Sequence, residues 1–199
     1  MSGGRVLAAP TGRPVRVRRI AEDDWDAVVA LEARTYTPLG LSEGRDALRS
    51  RALASPDTCF ALDHGSRLAG YLLALPYPET RYPDLHSPER EPAATATTSR
   101  NLHLHDIVVA EELRQRGLAR HLLDGLTAAA RARGYERISL VAVGGSDRYW
   151  ARRGYTADQG AAVPAGYGPT AVYMSRAVPD GPAPCEATKK WADAGAPRT

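Results

Sequence analysis

The sequence predicts one mixed α/β (α+β) domain over residues 15–177, and three observations predict it. Short runs alternate apolar and charged residues, as half-buried strands do. Longer stretches carry apolar residues at helical spacing. The two kinds of segment interleave along the chain, with no internal repeat.

Val15-Arg16-Val17-Arg18 alternates and reads as a first strand. Asp23 and Asp24 then place negative charge at a helix N-terminus, and Trp25, Val28, Val29 and Leu31 give that helix an apolar stripe. Thr37-Pro38-Leu39-Gly40 breaks it, and Ser42 is a candidate cap for a second helix running to about Ala54. Thr58–Asp63 and Arg67–Leu75 flank His64-Gly65-Ser66 and predict a hairpin.

Residues 76–100 hold Pro76, Pro78, Pro83, Pro88 and Pro92, a density that no helix or central strand tolerates, so a long loop is expected. A strand returns at Leu102–Val109. A helix follows from about Arg116 to Arg133, with Leu118, Leu122, Leu126 and Ala130 four residues apart. Arg137–Val143 is a buried strand, Asp147–Arg153 a short helix and Thr170–Ala177 a last strand. Residues 1–14 and 178–199 are rich in Gly, Ala and Pro without a core pattern, and are expected to be a flexible arm and a disordered tail.

Composition excludes several classes. The 199 residues carry 26 basic and 23 acidic side chains, with 43% hydrophobic content, as a globular protein does. All but two of the basic residues are arginine, the exceptions being Lys189 and Lys190. They are scattered rather than interleaved with aromatics, so no nucleic-acid partner is expected. Two cysteines, Cys59 and Cys185, make neither a disulfide scaffold nor a CxxC zinc site. No apolar run approaches the roughly 20 residues of a membrane span, and the N-terminus lacks a signal-peptide core, so a cytoplasmic location is expected.

The strongest chemical signal is strand, tight turn, helix: Leu104 to Val109, Ala110 to Leu113, then Arg114-Gln115-Arg116-Gly117-Leu118-Ala119. A helix start leaves N–H groups unpaired and carries partial positive charge. The small residues Gly117 and Ala119 let a pyrophosphate approach that backbone, and Arg114, Arg116 and Arg120 add charge. No Gly-Lys-Ser/Thr follows, and the three-glycine dinucleotide spacing is missing, so neither a P-loop nor a Rossmann turn fits. An ordinary arginine-rich turn is the plainer alternative.

Arg114-x-x-Gly117-x-Ala119 resembles the acyl-CoA motif R/Q-x-x-G-x-G/A of the GNAT superfamily of N-acetyltransferases. The element order over residues 15–177 is similar, and Tyr149-Trp150-Ala151-Arg152-Arg153-Gly154-Tyr155 resembles the family's F-Y-x-x-x-G-F. Within the superfamily, Leu102-His103-Leu104-His105 with Arg114-Gln115-Arg116-Gly117 resembles the H-L-H and R-Q-Q-G segments of the serotonin (arylalkylamine) N-acetyltransferases. Thr37-Pro38-Leu39-Gly40-Leu41-Ser42-Glu43 resembles their C-P-L-x-L-x-E loop.

The resemblance implies a mixed, mostly antiparallel sheet with helices on both faces and two parallel strands that splay apart to bind acyl-CoA. It implies acetyl-CoA as co-substrate, bound by Ile107, Val108 and Val109 along the pantetheine arm. Arg114, Gln115, Arg116, Gly117, Leu118, Ala119 and Arg120 would surround the pyrophosphate. Tyr36, Pro38 and Leu39 would border the acceptor, with a core Tyr36 and a helix-breaking Pro38 as the alternative. The acceptor would be a small-molecule primary amine, arylalkylamine-like, a polyamine or a biosynthetic or antibiotic amine, and no metal is implied.

His103 and His105 share a strand face by alternation and suit general-base work near neutral pH; histidines that merely pack are the alternative. Alternation sends Asp106 to the other face, which leaves a metal reading without a third ligand. The family's acid, a tyrosine that protonates the departing thiolate, aligns with Trp150, which cannot serve. Tyr149 is the neighbouring candidate, with a water or unassisted departure of the thiolate as the alternatives. Tyr77, Glu79, Tyr82 and Asp84 in the loop are candidates to cover the acceptor pocket, with a solvated loop as the plainer alternative. Acetylation of protein lysines or N-termini, and a non-catalytic acyl-CoA-binding module, are the competing readings. Monomer and homodimer both remain open.

Overall fold

Seven strands in the order β1-β2-β3-β4-β5-β7-β6 form one sheet in a computed structural model that describes residues 13–85, 87–89 and 99–179. Nearly all of the expected arm and tail, and the middle of the 76–100 loop, lie outside those residues. The strands are β1 Val15–Arg19, β2 Phe60–His64, β3 Arg67–Pro76, β4 Asn101–Val109, β5 Arg137–Ala142, β6 Thr156–Ala157 and β7 Val172–Ala177. All neighbours pair antiparallel except β4 and β5.

On one face lie α1 (Trp25–Tyr36) and α2 (Arg45–Ala54), packed through Trp25, Val28, Leu31 and Leu48 onto Tyr71, Leu73 and Val108. On the other lies α3 (Leu118–Ala132), which inserts Leu118, Leu122, Leu126 and Ala130 against Leu62, Leu72, Leu102 and Leu140. The spacing-four stripe therefore does what its period requires. A short α4 (Asp147–Ala151) adds Trp150 to the same core.

Two local expectations change. Ser42 does not cap α2: its hydroxyl donates to the buried Glu32 carboxylate at 2.7 Å, and the residue before the helix is Gly44 at φ 85°. The third helix starts at Leu118 rather than Arg116, because Gln115 (φ 62°) and Gly117 (φ 78°) are left-handed and hold Arg114 to Gly117 as a turn outside it.

Strand β4 carries the feature that builds the site. Opposite β3, Asp106 pairs with Leu73 and Leu104 with Ala74, so His105 is an extra residue, a β-bulge. Before it Leu102 and Leu104 face α3; after it Ile107 and Val109 do. The bulge shifts the alternation by one, and Asp106 joins the α1/α2 face instead of the opposite one.

Candidate active site

Parallel pairing of β4 with β5 runs only from Asn101↔Arg137 to Leu104↔Leu140. Beyond Leu104 the strands diverge, so the β5-facing edge of Ile107 to Val109 has no partner strand. A cleft of about 950 Å³ occupies the gap. Its floor is Leu104 to Ala110 on one side and Leu140, Val141 and Val143 on the other. Tyr36, Pro38 and Leu39 also line it, as do Arg114, Gln115, Gly117, Leu118, Ala119 and Arg120. Of the residues expected around a pyrophosphate, only Arg116 does not line it.

The turn brings helix-start amides, open space and arginine side chains together. The first amides of α3 point out of the helix end. A methyl group on Gly117 would meet nothing within 4 Å, so the space beside it is open. Arg114 is held in place by Nε donation to the Val109 carbonyl at 3.2 Å and a 3.4 Å contact from its guanidinium to Thr35 Oγ1. At the strand end, Gly70 lets β3 approach closely, since a Cβ there would sit 2.6 Å from the Val108 carbonyl oxygen.

Around the bulge, the side chains form two buried polar groups. Tyr36 donates to Asp106 Oδ1 at 2.6 Å, and Tyr71 donates to Oδ2. Burial pushes both phenols well above their usual value, with the Asp106 charge adding to it, so they stay protonated donors. Burial also raises Asp106 to about 6, against the two tyrosine hydrogen bonds that lower it. In the second group, His105 Nε2 lies 2.5 Å from Glu43 Oε1, and Glu43 Oε2 lies 2.6 Å from the fully buried Arg51 guanidinium. Burial, then the Arg51 charge, lowers His105 to about 3. The neutral imidazole therefore donates Nε2–H to Glu43, and its buried Nδ1 has no hydrogen-bond partner.

The two histidines part company here. His105 lines the cleft with Asp106, whereas His103 does not. His103 Nδ1 is 3.0 Å from Ser139 Oγ, its ring lies parallel to Tyr173 (9°), and Tyr77 and Tyr82 lie beside it. Burial lowers it to about 3 as well. The proline-rich loop covers it: the Tyr173 hydroxyl accepts from Thr80 N–H, Tyr167 donates to the Pro83 carbonyl, and Arg51 donates to the Asp84 carbonyl at 2.7 Å. Tyr149 and Trp150 line the cleft side by side, Tyr149 37% exposed beneath the Arg153 guanidinium and Trp150 buried. Among the described residues no cluster of His, Cys, Asp and Glu could hold a metal ion, and no helix is long and apolar enough to cross a membrane.

Sequence reasoning missed Asp106, Tyr71 and Arg51. A bulge leaves no mark in a pattern of period two, and Arg51 reads as one more polar position of α2. Glu43 was visible only as the last letter of a loop motif.

The sequence model of the Acetyltransferase (GNAT) family matches residues 25–155. The chain belongs to the GNAT family. Comparison with curated protein sequences finds no match. Among solved structures, the fold is similar to Ard1 from Thermoplasma volcanium, with TM-score 0.63 and 16% identity, over 83% of this chain and 99% of that one. It is also similar to the GNAT-like decarboxylase GphF in complex with isobutyryl-CoA (TM-score 0.60, 23% identity, 82% and 100% covered). Arabidopsis thaliana Naa50 in complex with the bisubstrate analogue CoA-Ac-MVNAL is a third (TM-score 0.58, 12% identity, 81% and 97% covered). At such identities the likeness is one of fold. GNAT members are acyltransferases, and two of these neighbours hold CoA derivatives.

Proposed function

We propose that this GNAT protein transfers the acetyl group of acetyl-CoA to the primary amine of a small molecule. The observation that carries the reading is the cleft where β4 leaves β5, running from the Arg114–Ala119 turn to His105 and Asp106. The turn would bind the pyrophosphate, and the free edge of Ile107 to Val109 would pair with the pantetheine arm, which aims the thioester at the bulge. The backbone N–H of Val108 on the same edge would bind the oxyanion of the tetrahedral intermediate.

On the acceptor side, His105 is the candidate base: the residue lines the cleft and its buried Nδ1 has no hydrogen-bond partner, while His103 is hydrogen-bonded to Ser139. Tyr149, exposed on the cleft, would protonate the departing thiolate. The arylalkylamine-type motifs, with Tyr36, Pro38 and Leu39 at the acceptor end, favour an amine with an apolar body.

The test is thiol release from acetyl-CoA across tryptamine, phenethylamine, spermidine, aminoglycosides and lysine peptides. Acceleration by a small amine supports the reading. Acceleration by peptides alone, or binding of acetyl-CoA without turnover, refutes it.

A further inference from the structure

A second cavity, of about 590 Å³, is bordered by α3, by the chain leading from α4 to β6, and by β7 with Pro179. That volume suits a small molecule. Its α3 residues recur every three or four positions from Arg120 to Arg131, so they share one flank of the helix. Of the cavity's residues only Arg120 also lines the cleft between β4 and β5. The charge is lopsided. Arg120, Arg131, Arg153 and Arg176 stand against Asp124 alone, so the lining carries the same formal +3 as the whole chain. Asp124 lies 3.5 Å from Arg120, and the other three arginines have no carboxylate partner among the described residues. Arg131 donates to the Pro179 carbonyl at 2.6 Å, Arg176 to Thr127 Oγ1 at 2.9 Å and Arg153 to the Tyr149 carbonyl at 3.3 Å. These neutral acceptors orient the guanidinium groups and leave their charge uncompensated. Two further donors in the same residues, the Tyr155 hydroxyl and Arg176 Nε, are buried without a hydrogen-bond partner, a state that folded proteins avoid. Leu123, Ala128 and Pro179 make the rest of the lining apolar.

We propose that this cavity is a second ligand site, separate from the cleft, and that it takes a phosphate monoester with a compact apolar body. Planar guanidinium forks fit phosphate oxygens in pairs, and a dianion offsets a +3 lining better than one carboxylate does. The head group sits between Arg131 and Arg176, and the apolar body lies against Leu123, Ala128 and Pro179. Binding makes and breaks no covalent bond, and it does not depend on acetyl transfer. Arg120 borders both cavity and cleft, so an occupant and a pyrophosphate in the cleft share one arginine and are only weakly coupled.

The probe is phenyl phosphate, titrated by calorimetry into the full chain with and without saturating CoA. Saturable binding is expected in both, with affinities within about fivefold of each other, because only Arg120 is shared. Arg131→Gln removes a charge without opening the core, and it should weaken phenyl phosphate at least about fivefold, as loss of a charge-assisted hydrogen bond does. Arg67→Gln, on the exposed start of β3 outside the cavity, should change it less than about twofold. Benzoate and inorganic phosphate should each bind at least about fivefold more weakly than phenyl phosphate, the first for want of charge and the second for want of apolar contact. Absence of saturable binding, a larger loss on adding CoA, or equal effects of Arg131→Gln and Arg67→Gln overturns the site. Parity with benzoate overturns the phosphate assignment, and parity with inorganic phosphate overturns the apolar body.

Discussion

Glu43 Oε1 lies 2.5 Å from His105 Nε2, and both side chains are buried. The carboxylate that fixes the imidazole is itself held by Arg51, so α2 and its leading loop set which nitrogen of His105 carries the hydrogen. That choice leaves the lone pair on Nδ1.

His105 should therefore be neutral, with hydrogen on Nε2, across pH 5–8 in histidine 15N spectra, since burial lowers it to about 3. The same lowering at His103 makes acid destabilising. Between pH 6.5 and 3 the unfolded chain takes up protons that the folded one refuses, so stability falls as pH drops through that window. Urea midpoints measured from pH 7 to 4 should show this slope, and His103→Gln should flatten it. A histidine signal that titrates near pH 6.5 for either ring contradicts the account.

Arg51 is fully buried against Glu43 and is a hydrogen-bond donor to the Asp84 carbonyl. Arg51→Ala strips one partner from a buried pair and should cost about 3–5 kcal/mol of unfolding free energy. A loss below about 1 kcal/mol in denaturant melts would mean that water reaches the pair.

Asp106 has the opposite pH sign from the histidines. Its carboxyl is raised to about 6, so ionising it opposes folding, and the cost grows as pH rises from about 4 through 6. Asp106→Asn should stabilise the protein at pH 8, by on the order of 3 kcal/mol at most, and much less at pH 4.5. Equal effects at both pH values would show that the carboxylate is not held at a cost.

Much of the fold was legible because its elements bury one side each. The Leu118–Ala130 stripe, the hairpin around Gly65 and the proline-rich loop follow from period and breakers alone. Gly117 was legible too, as the small residue in the turn before α3. What was hidden depends on partners distant in sequence. Ser42 gives its hydroxyl to Glu32 rather than to α2, and Glu43 reaches 62 residues along the chain to His105. The bulge at His105 follows from how β3 and β4 pair, and it moved Asp106 into the cleft.

Gly117 stands at φ 78° beside open space at the start of α3. Gly117→Val forces a β-branched residue into the left-handed region and fills that space, which should weaken acetyl-CoA binding at least about tenfold. Calorimetry reads the change directly, and an unchanged affinity would remove the turn from the binding site.

Mass analysis of the wild-type protein's turnover mixture is the most direct test of acetyl transfer through this cleft. With acetyl-CoA and an apolar primary amine, N-acetylated amine and free CoA should appear in equal amounts. Acetyl-CoA left intact across the amine panel, or consumed without any acetylated amine, would contradict the account.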